Sequence, residues 1–211
     1  MTAATEHMVR PNRRGVKSRE LVLDAAERVM ATDGFEAATV ARVVEASGVP
    51  LSSVYHYFAS KDGVVLAVMQ RGAERFFGDL PELYERGGTP TEHVRAVVSS
   101  VAEALERHPH FLRLLIVFAV QPPNANDGEV AAVVRQVRNT ALRRLRKQFA
   151  IAFDDEPRSR VVNQLARFAL AAIDGAFIAA QSDSGVTLGR VLAPLPDAVV
   201  AARRALGSRS T

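Results

Sequence analysis

The stretch that decides the fold is residues 39–62, TVARVVEASGVPLSSVYHYFASKD. Valines at helical spacing follow Thr39, whose hydroxyl can cap a helix, and Gly48 is expected to end that helix. A second short helix is expected to begin near Pro50, because proline is tolerated in a first helical turn. Two short helices joined through a glycine turn predict a helix-turn-helix, whose second helix enters the major groove of DNA.

The flanking sequence predicts further helices. Apolar residues at i, i+3, i+4 spacing from Ser18 indicate a longer helix that ends at Asp33-Gly34, and another helix restarts near Lys61. Longer helical segments follow between Gly and Pro breaks, which include residues 87–90 and Pro109, and no segment shows sustained alternation of apolar and polar residues. We therefore predict an all-α protein with a three-helix DNA-binding domain and a C-terminal helical domain for ligand binding and dimerisation. The predicted divisions are a basic disordered arm (1–17), the helix-turn-helix domain (18–62) and the effector-binding and dimerisation domain (63–211).

Composition narrows the class of protein. The 211 residues carry a formal net charge of +4 and 48% hydrophobic residues, which suits a folded core and a polyanionic partner. There is no cysteine, so thiolate zinc sites and cysteine nucleophiles are excluded. The N-terminus lacks the apolar run of a secretory signal, and the most apolar stretch, 161–181, contains charged residues. We therefore expect a cytoplasmic protein with no membrane partner.

The second helix of the pair offers a polar face suited to DNA. Helical spacing predicts an apolar side made of Leu51, Val54, Tyr55 and Phe58. On a helical wheel, Ser52, Ser53 and His56 lie away from Val54 and Phe58, so hydroxyls and an imidazole can face base edges. Tyr55 carries a phenol that can reach a phosphate. Lys61 combines a cation with the free N–H groups of a helix start, which together form an anion site.

This run resembles the DNA-binding signature of the tetracycline-repressor (TetR) family, in its Gly-Val turn at 48–49 and its Tyr-x-Tyr-Phe-x-Ser-Lys ending at 55–61. The resemblance covers roughly residues 18–69, and the rest is similar to the family in length and helical character alone. It implies a ligand-responsive regulator, a repressor by analogy, that binds a palindromic operator as a homodimer and is released by a small-molecule effector.

The resemblance also implies residue roles. Phosphate contacts fall to Thr39, Tyr55 and Lys61, and recognition-helix positions to Ser52, Ser53 and His56. The usual pattern has a serine cap, a basic residue and a glycine where this sequence has Pro50, Leu51 and Ser52.

Cations outside the motif are further candidates for DNA contact. Five lie up to residue 19, against a single acid, and favour a groove or backbone contact over a solubilising tail. Of these we select Arg13, Arg14 and Lys17. For Arg42, on the first helix of the pair, a phosphate contact and a solvated arginine both stay open.

The C-terminal segment supplies the predicted dimer interface and effector pocket. The segment from about 158 to 181 is apolar nearly all round, so it needs cover on more than one side. By resemblance, it and the last helix, 196–206, form the dimer interface, for which we select Leu165, Ala169, Ala172, Ala176, Val199 and Ala202. The predicted pocket residues are Phe111, Leu115, Phe118, Arg143, Phe168, Asp174 and Phe177.

Two assignments in this segment stay open. Asp174 is either a satisfied buried group or a ligand contact. The basic run 135–147 is either a solvated face or a set of arginines that meets an anionic part of the effector.

Motifs for catalysis are missing from the sequence. It contains no Gly-x-Ser-x-Gly elbow, phosphate-binding glycine loop or His-Glu-x-x-His pair. His108-Pro109-His110 is a weak metal candidate, because no carboxylate lies near the two histidines at the spacing of a metal ligand. We predict no enzyme activity, no metal and no cofactor. A helical binding or interaction protein with a vestigial helix-turn-helix is the alternative, and an enzyme ranks third.

Overall fold

A computed structural model describes residues 13–34, 38–82, 88–120 and 128–207, and in these ranges every regular element is an α-helix. The helices are α1 (Arg13–Asp33), α2 (Val40–Ser47), α3 (Leu51–Phe58), α4 (Lys61–Gly78), α5 (Pro90–Arg107), α6 (Pro109–Val120), α7 (Gly128–Phe153), α8 (Arg160–Ser182), α9 (Leu188–Leu192) and α10 (Leu195–Gly207). The predicted all-α class is confirmed.

The chain divides into two compact units, residues 1–69 and 70–211. The functional boundary that we predicted between residues 62 and 63 stays a prediction. In the first unit, α1 packs against α2 and α3. Its core is built from apolar side chains of α1 to α4, which include Val22, Leu23, Val43, Val54 and Val65, all at most 2% exposed.

Local signals in the sequence explain the corner between α2 and α3. The Thr39 hydroxyl accepts a hydrogen bond from the Arg42 backbone N–H at 3.3 Å, as an N-cap does. Gly48 has φ of 66°, and its N–H donates to the Val44 carbonyl at 2.9 Å. Because this left-handed conformation strains residues with a Cβ, the glycine permits the turn. Both predicted signals are confirmed.

The starts of two helices in this unit differ from the sequence predictions. α1 begins at Arg13, before the predicted start at Ser18, so residues 13–17 of the predicted arm are helical. Arginine and lysine are good helix formers, so this basic segment can extend α1. The rest of the arm, 1–12, lies outside the described residues. Pro50 is the N-cap residue of α3 and makes no side-chain cap bond, whereas we expected it in the first turn.

The inward face of α3 is narrower than predicted. We placed Leu51 and Tyr55 beside Val54 and Phe58, yet Leu51 is 48% and Tyr55 49% exposed. α3 is short and packs against α1 and α2, so the i, i+4 pair of Val54 and Phe58 fills the contact.

The second unit is built on contacts of α7 and α8 with each other, and of α5, α9 and α10 with one or both of them. Thr89 and Glu92 form a capping box at the start of α5. The Thr89 backbone N–H donates to Glu92 Oε2 at 2.7 Å, and this bond is the first cause of the lowered pKa of Glu92. Pro90 and Pro109 open α5 and α6 at predicted breaks.

α8 is the long apolar helix predicted from the sequence. Within the described ranges it is the one helix long and apolar enough to cross a membrane by length and composition. It packs against α7, α9 and α10 and buries residues such as Val162, Leu165 and Ile173. These contacts are those of the core helix that we predicted.

Candidate functional site

The outer face of α3 presents polar groups to solvent. Ser52, Tyr55 and His56 are exposed, and Ser53 is half-buried. The buried Val54 and Phe58 hold the opposite side against the unit's core. The arrangement leaves two hydroxyls, a phenol and an imidazole free for contacts with a polar partner.

The turn from α3 to α4 depends on a close backbone approach. A Cβ on Gly63 would lie 1.9 Å from the carbonyl oxygen of Phe58, so a larger residue does not fit without a backbone shift. The Ser60 hydroxyl accepts a hydrogen bond from the Gly63 N–H at 3.1 Å. Lys61, the first residue of α4, is therefore held directly after the end of α3.

Arg42 forms an ion pair that the sequence did not reveal. Its guanidinium donates to Asp33, the last residue of α1, and both side chains are accessible to solvent. This hydrogen bond is the main cause that lowers the pKa of Asp33 and raises the pKa of Arg42. Neither predicted alternative, a phosphate contact or a solvated arginine, includes this ion pair. A phosphate that binds Arg42 must either share its guanidinium with Asp33 or displace Asp33 from it.

The predicted cations of the arm lie at the start of α1. Lys17 is exposed, and the side chains of Arg13 and Arg14 lie outside the described residues. Sequence reasoning missed a role for Arg19, whose guanidinium lies over the Phe58 ring at 5.4 Å. This cation–π contact ties α1 to the end of α3.

The second unit contains a cavity of about 130 Å³ between the end of α4 and helices α5 to α8. This volume suits a small ligand better than a single water. Its wall is mainly apolar and carries five charged side chains. The apolar lining includes Phe76, Phe77, Val97, Val101, Leu105, Phe111, Leu112, Leu115, Val137, Leu145, Leu170 and Ile173. The charged lining residues are Glu82, Arg138, Arg144, Lys147 and Asp174.

Three of the predicted pocket residues line this cavity: Phe111, Leu115 and Asp174. The other four do not line it: Phe118, Arg143, Phe168 and Phe177. Arg143 is exposed and donates to the Thr140 hydroxyl at 2.8 Å, and Phe168 is 45% exposed on another side of α8. Phe177 is buried elsewhere in the packing. Helical periodicity had given their spacing but not which side of each helix borders the cavity.

Two arginines of the basic run on α7, Arg138 and Arg144, line the cavity, whereas the one arginine that we selected from this run was Arg143. Arg138 donates to Asp174 Oδ2 at 2.8 Å, so Asp174 is both paired and part of the wall. Arg144 donates to the Phe77 carbonyl at 2.9 Å, and its guanidinium lies 5.1 Å from the centre of the Phe77 ring. Their spacing of six residues in a basic helix gave no signal that separated them from Arg143.

A buried histidine supports one more polar residue of the wall. His93 is 2% exposed, and its Nε2 lies 2.9 Å from Oε1 of the cavity residue Gln148. Because Oε1 can accept but not donate, this contact requires a proton on Nε2. The pair holds α5 against α7 and orients the Gln148 amide.

The residues predicted for the dimer interface are mostly used inside the chain. Leu165, Ala169, Ala176 and Val199 are at most 3% exposed, so they leave almost no surface for a second subunit. Ala172 and Ala202 are half-buried. The other side of α8 is open and carries Phe168, Ala171, Gly175 and Ile178, all exposed, at alternating spacings of three and four.

One of the two histidines that suggested a metal, His108, contacts a carboxylate. His108 Nε2 lies 2.8 Å from Asp79 Oδ2, and Arg107 donates to the same oxygen at 2.9 Å. The hydrogen bond with His108 is the first cause that lowers the pKa of Asp79. Among the described residues, no group of three His, Cys, Asp or Glu side chains is placed to hold a metal ion.

Comparison with known proteins places this geometry among regulators. The family described as "Bacterial regulatory proteins, tetR family" matches residues 22–68. The HTH-type transcriptional regulator BetI of Brucella canis is 26% identical over 163 residues, which cover 77% of this chain and 79% of that protein. The HTH-type transcriptional repressor KstR of Mycolicibacterium smegmatis is 29% identical over 91 residues, 43% of this chain and 45% of that protein.

Solved structures share the fold over most of the chain. A transcriptional regulator from Rhodococcus sp. Rha1 has a TM-score of 0.70 at 22% identity, over 89% of this chain and 97% of that one. A complex of SmeT with triclosan has a TM-score of 0.68 at 21% identity, over 88% of this chain and 91% of the SmeT chain.

Proposed function

Because this chain belongs to the tetR family of bacterial transcriptional regulators, and is therefore not an enzyme, we propose that it is a ligand-responsive repressor. In this proposal a homodimer binds a palindromic operator in the cytoplasm, and a small molecule releases it. The observation that carries the proposal is the exposed polar face of α3, held on its other side by Val54 and Phe58.

α3 is the recognition helix in this proposal. Ser52, Ser53 and His56 face base edges in the major groove, where hydroxyl and imidazole groups can donate or accept hydrogen bonds. Tyr55 and Lys61 contact phosphates on either side of the reading positions. Thr39 adds a phosphate contact at the N-terminus of α2, where unpaired N–H groups favour an anion.

The basic start of α1 adds charge to this interface. Lys17 is exposed and, with Arg13 and Arg14, contributes to attraction of the DNA backbone. Arg42 joins them if a phosphate takes over from Asp33. These contacts increase affinity for any sequence, so the discrimination between sequences rests on α3.

The homodimer is proposed to form through the open side of α8 together with α10. Phe168 and Ile178 are 45% and 49% exposed, and a Cβ on Gly175 would meet nothing within 4 Å. Exposed Ala198 and Ala201 extend the face on α10. Small residues between large apolar ones let two helices approach closely, and a two-fold axis makes the same face serve both subunits.

The cavity is proposed as the effector site. α4 starts in the unit that carries α3, and its last turn lines the cavity through Phe76 and Phe77. A ligand that prefers one position of this turn shifts the population of conformations. Operator affinity then changes because the two half-sites must be met at a fixed separation, about 34 Å or a multiple.

The test is binding to the DNA that flanks the protein's own gene, against shuffled DNA of equal length. We expect a preference of at least about 1,000-fold at physiological salt, measured by fluorescence anisotropy. Lys61→Ala should weaken both DNAs alike and lower the salt slope by about one, whereas His56→Ala should reduce the preference. Arg135→Ala, an exposed change on α7, is the control. A monomeric protein, or equal binding to both DNAs, contradicts the proposal.

A further inference from the structure

The cavity wall combines a large apolar surface with one cation that lacks a counter-charge. Arg138 is paired with Asp174 at 2.8 Å. Arg144 is half-buried, and its contacts are the Phe77 carbonyl and the Phe77 ring. Within the described part of the chain, no carboxylate pairs with Arg144.

The guanidinium of Arg144 is held in place and still has donors to offer. One N–H group binds the Phe77 carbonyl, and the plane is supported by the ring at 5.1 Å. The remaining N–H groups form part of a planar fork, which matches the oxygens of a carboxylate or a phosphate. Less side-chain freedom is lost on binding when the donor is already held in place.

The charges of the other four ionisable groups in the wall cancel one another. Lys147 and Glu82 are both exposed, and they carry opposite charges. Arg138 and Asp174 also carry opposite charges. The lining therefore has a net charge of +1, and Arg144 accounts for it.

We propose that the effector is an amphipathic anion, with an apolar body in the cavity and a carboxylate or phosphate head on Arg144. This inference rests on the proposed function, since it names the ligand of the same cavity. A half-buried cation is costly without a partner, and an anionic ligand supplies one away from bulk water. A neutral ligand leaves Arg144 as it is, and a cationic ligand adds repulsion.

The experiment compares probes with one apolar body and four head groups. Decanoate, decyl phosphate, decanol and decyltrimethylammonium are titrated into the full-length protein by isothermal titration calorimetry, without DNA. We expect one or both anions to bind at least about 10-fold more tightly than decanol, and the cation to bind most weakly. The ranking of decanoate against decyl phosphate shows which head group the site prefers.

Variants assign the preference to one residue. Arg144→Met should weaken the anions by about 10- to 100-fold and change decanol by less than about twofold. Arg144→Lys keeps the charge without the planar fork, so its affinity for the anions should lie between those of the original protein and of Arg144→Met. It also serves as the test if Arg144→Met does not fold. Arg143→Met, on the adjacent exposed arginine outside the cavity lining, should change nothing.

Several results overturn the inference. Decanol that binds as tightly as the anions, a preference for the cation, or no binding of any probe contradicts it, as does an equal loss in Arg143→Met and Arg144→Met. These outcomes leave the DNA experiment untouched, because no operator is present in the titration. Failure of operator preference with an intact anion preference refutes the proposed repressor and not the ligand class.

Discussion

Replacing Gly63 with alanine should disturb the turn that joins α3 to α4. In Gly63→Ala the new Cβ would lie 1.9 Å from the Phe58 carbonyl oxygen and 3.0 Å from its carbon, and contacts under 3.0 Å are essentially never seen. Both neighbours are backbone atoms, so the first turn of α4 must move by about 1 Å or more. Overpacking of this kind costs about 1–3 kcal/mol, which exceeds the gain of up to about 1 kcal/mol from replacing a helical glycine.

Native-state hydrogen exchange of the α1 core amides, from Val22 to Met30, measures this loss in the unit that carries the change. We expect the free energy of opening to fall by about 1 kcal/mol, which is an overpacking cost of about 2 kcal/mol less a glycine-replacement gain of up to about 1 kcal/mol. Operator affinity should fall with it, because Lys61 and the end of α3 shift together. Gly78→Ala is the matched control in the same helix, since a Cβ there meets nothing within 4 Å. Protection in Gly63→Ala equal to that of the original protein would refute the reasoning.

The remaining predictions concern a cap, an ion pair and the dimer face. Thr39→Ala should destabilise the first unit by about 1 kcal/mol in chemical denaturation, while Thr39→Ser keeps the cap and should restore it. The folded pKa of Asp33 lies below 3.8, so its stabilising effect is present above that value and is lost as pH falls through the folded pKa. In an NMR titration, Arg42→Ala should raise the Asp33 pKa, and an unchanged value contradicts the pair. Ile178→Arg should raise the dimer dissociation constant at least 10-fold (about 1.4 kcal/mol) in analytical ultracentrifugation, and an unchanged mass distribution rules out this face.

Much of the first unit follows from local sequence. The N-cap at Thr39, the left-handed Gly48 and the helical spacing of Val54 and Phe58 act within a few residues of one another. Their effects do not depend on distant parts of the chain, so the helix-turn-helix could be predicted with its polar face. The close approach of Gly63 to the Phe58 carbonyl could not, because it depends on the backbone path of the turn from α3 to α4, which the spacing of residue types does not show.

The second unit shows where sequence reasoning stops. Periodicity predicted α8 and its apolar surface, yet the residues chosen for the dimer face, Leu165 and Ala169 among them, are buried inside the chain. An almost wholly apolar helix has no polar stripe that would show in the sequence which of its sides faces solvent. Which side meets α7 and which stays open is therefore settled by packing.

The sequence by itself determined the all-helical class, the helix-turn-helix and the resemblance to tetR-family regulators, because these depend on residues close together in the chain. Tertiary structure decided which arginine faces the cavity and which partner each charge has. Arg143 and Arg144 are neighbours in a basic run, and only the packing of α7 against the end of α4 gives Arg144 the Phe77 carbonyl and leaves Arg143 in solvent. Contacts across 67 residues of chain cannot be read from the spacing of two identical side chains.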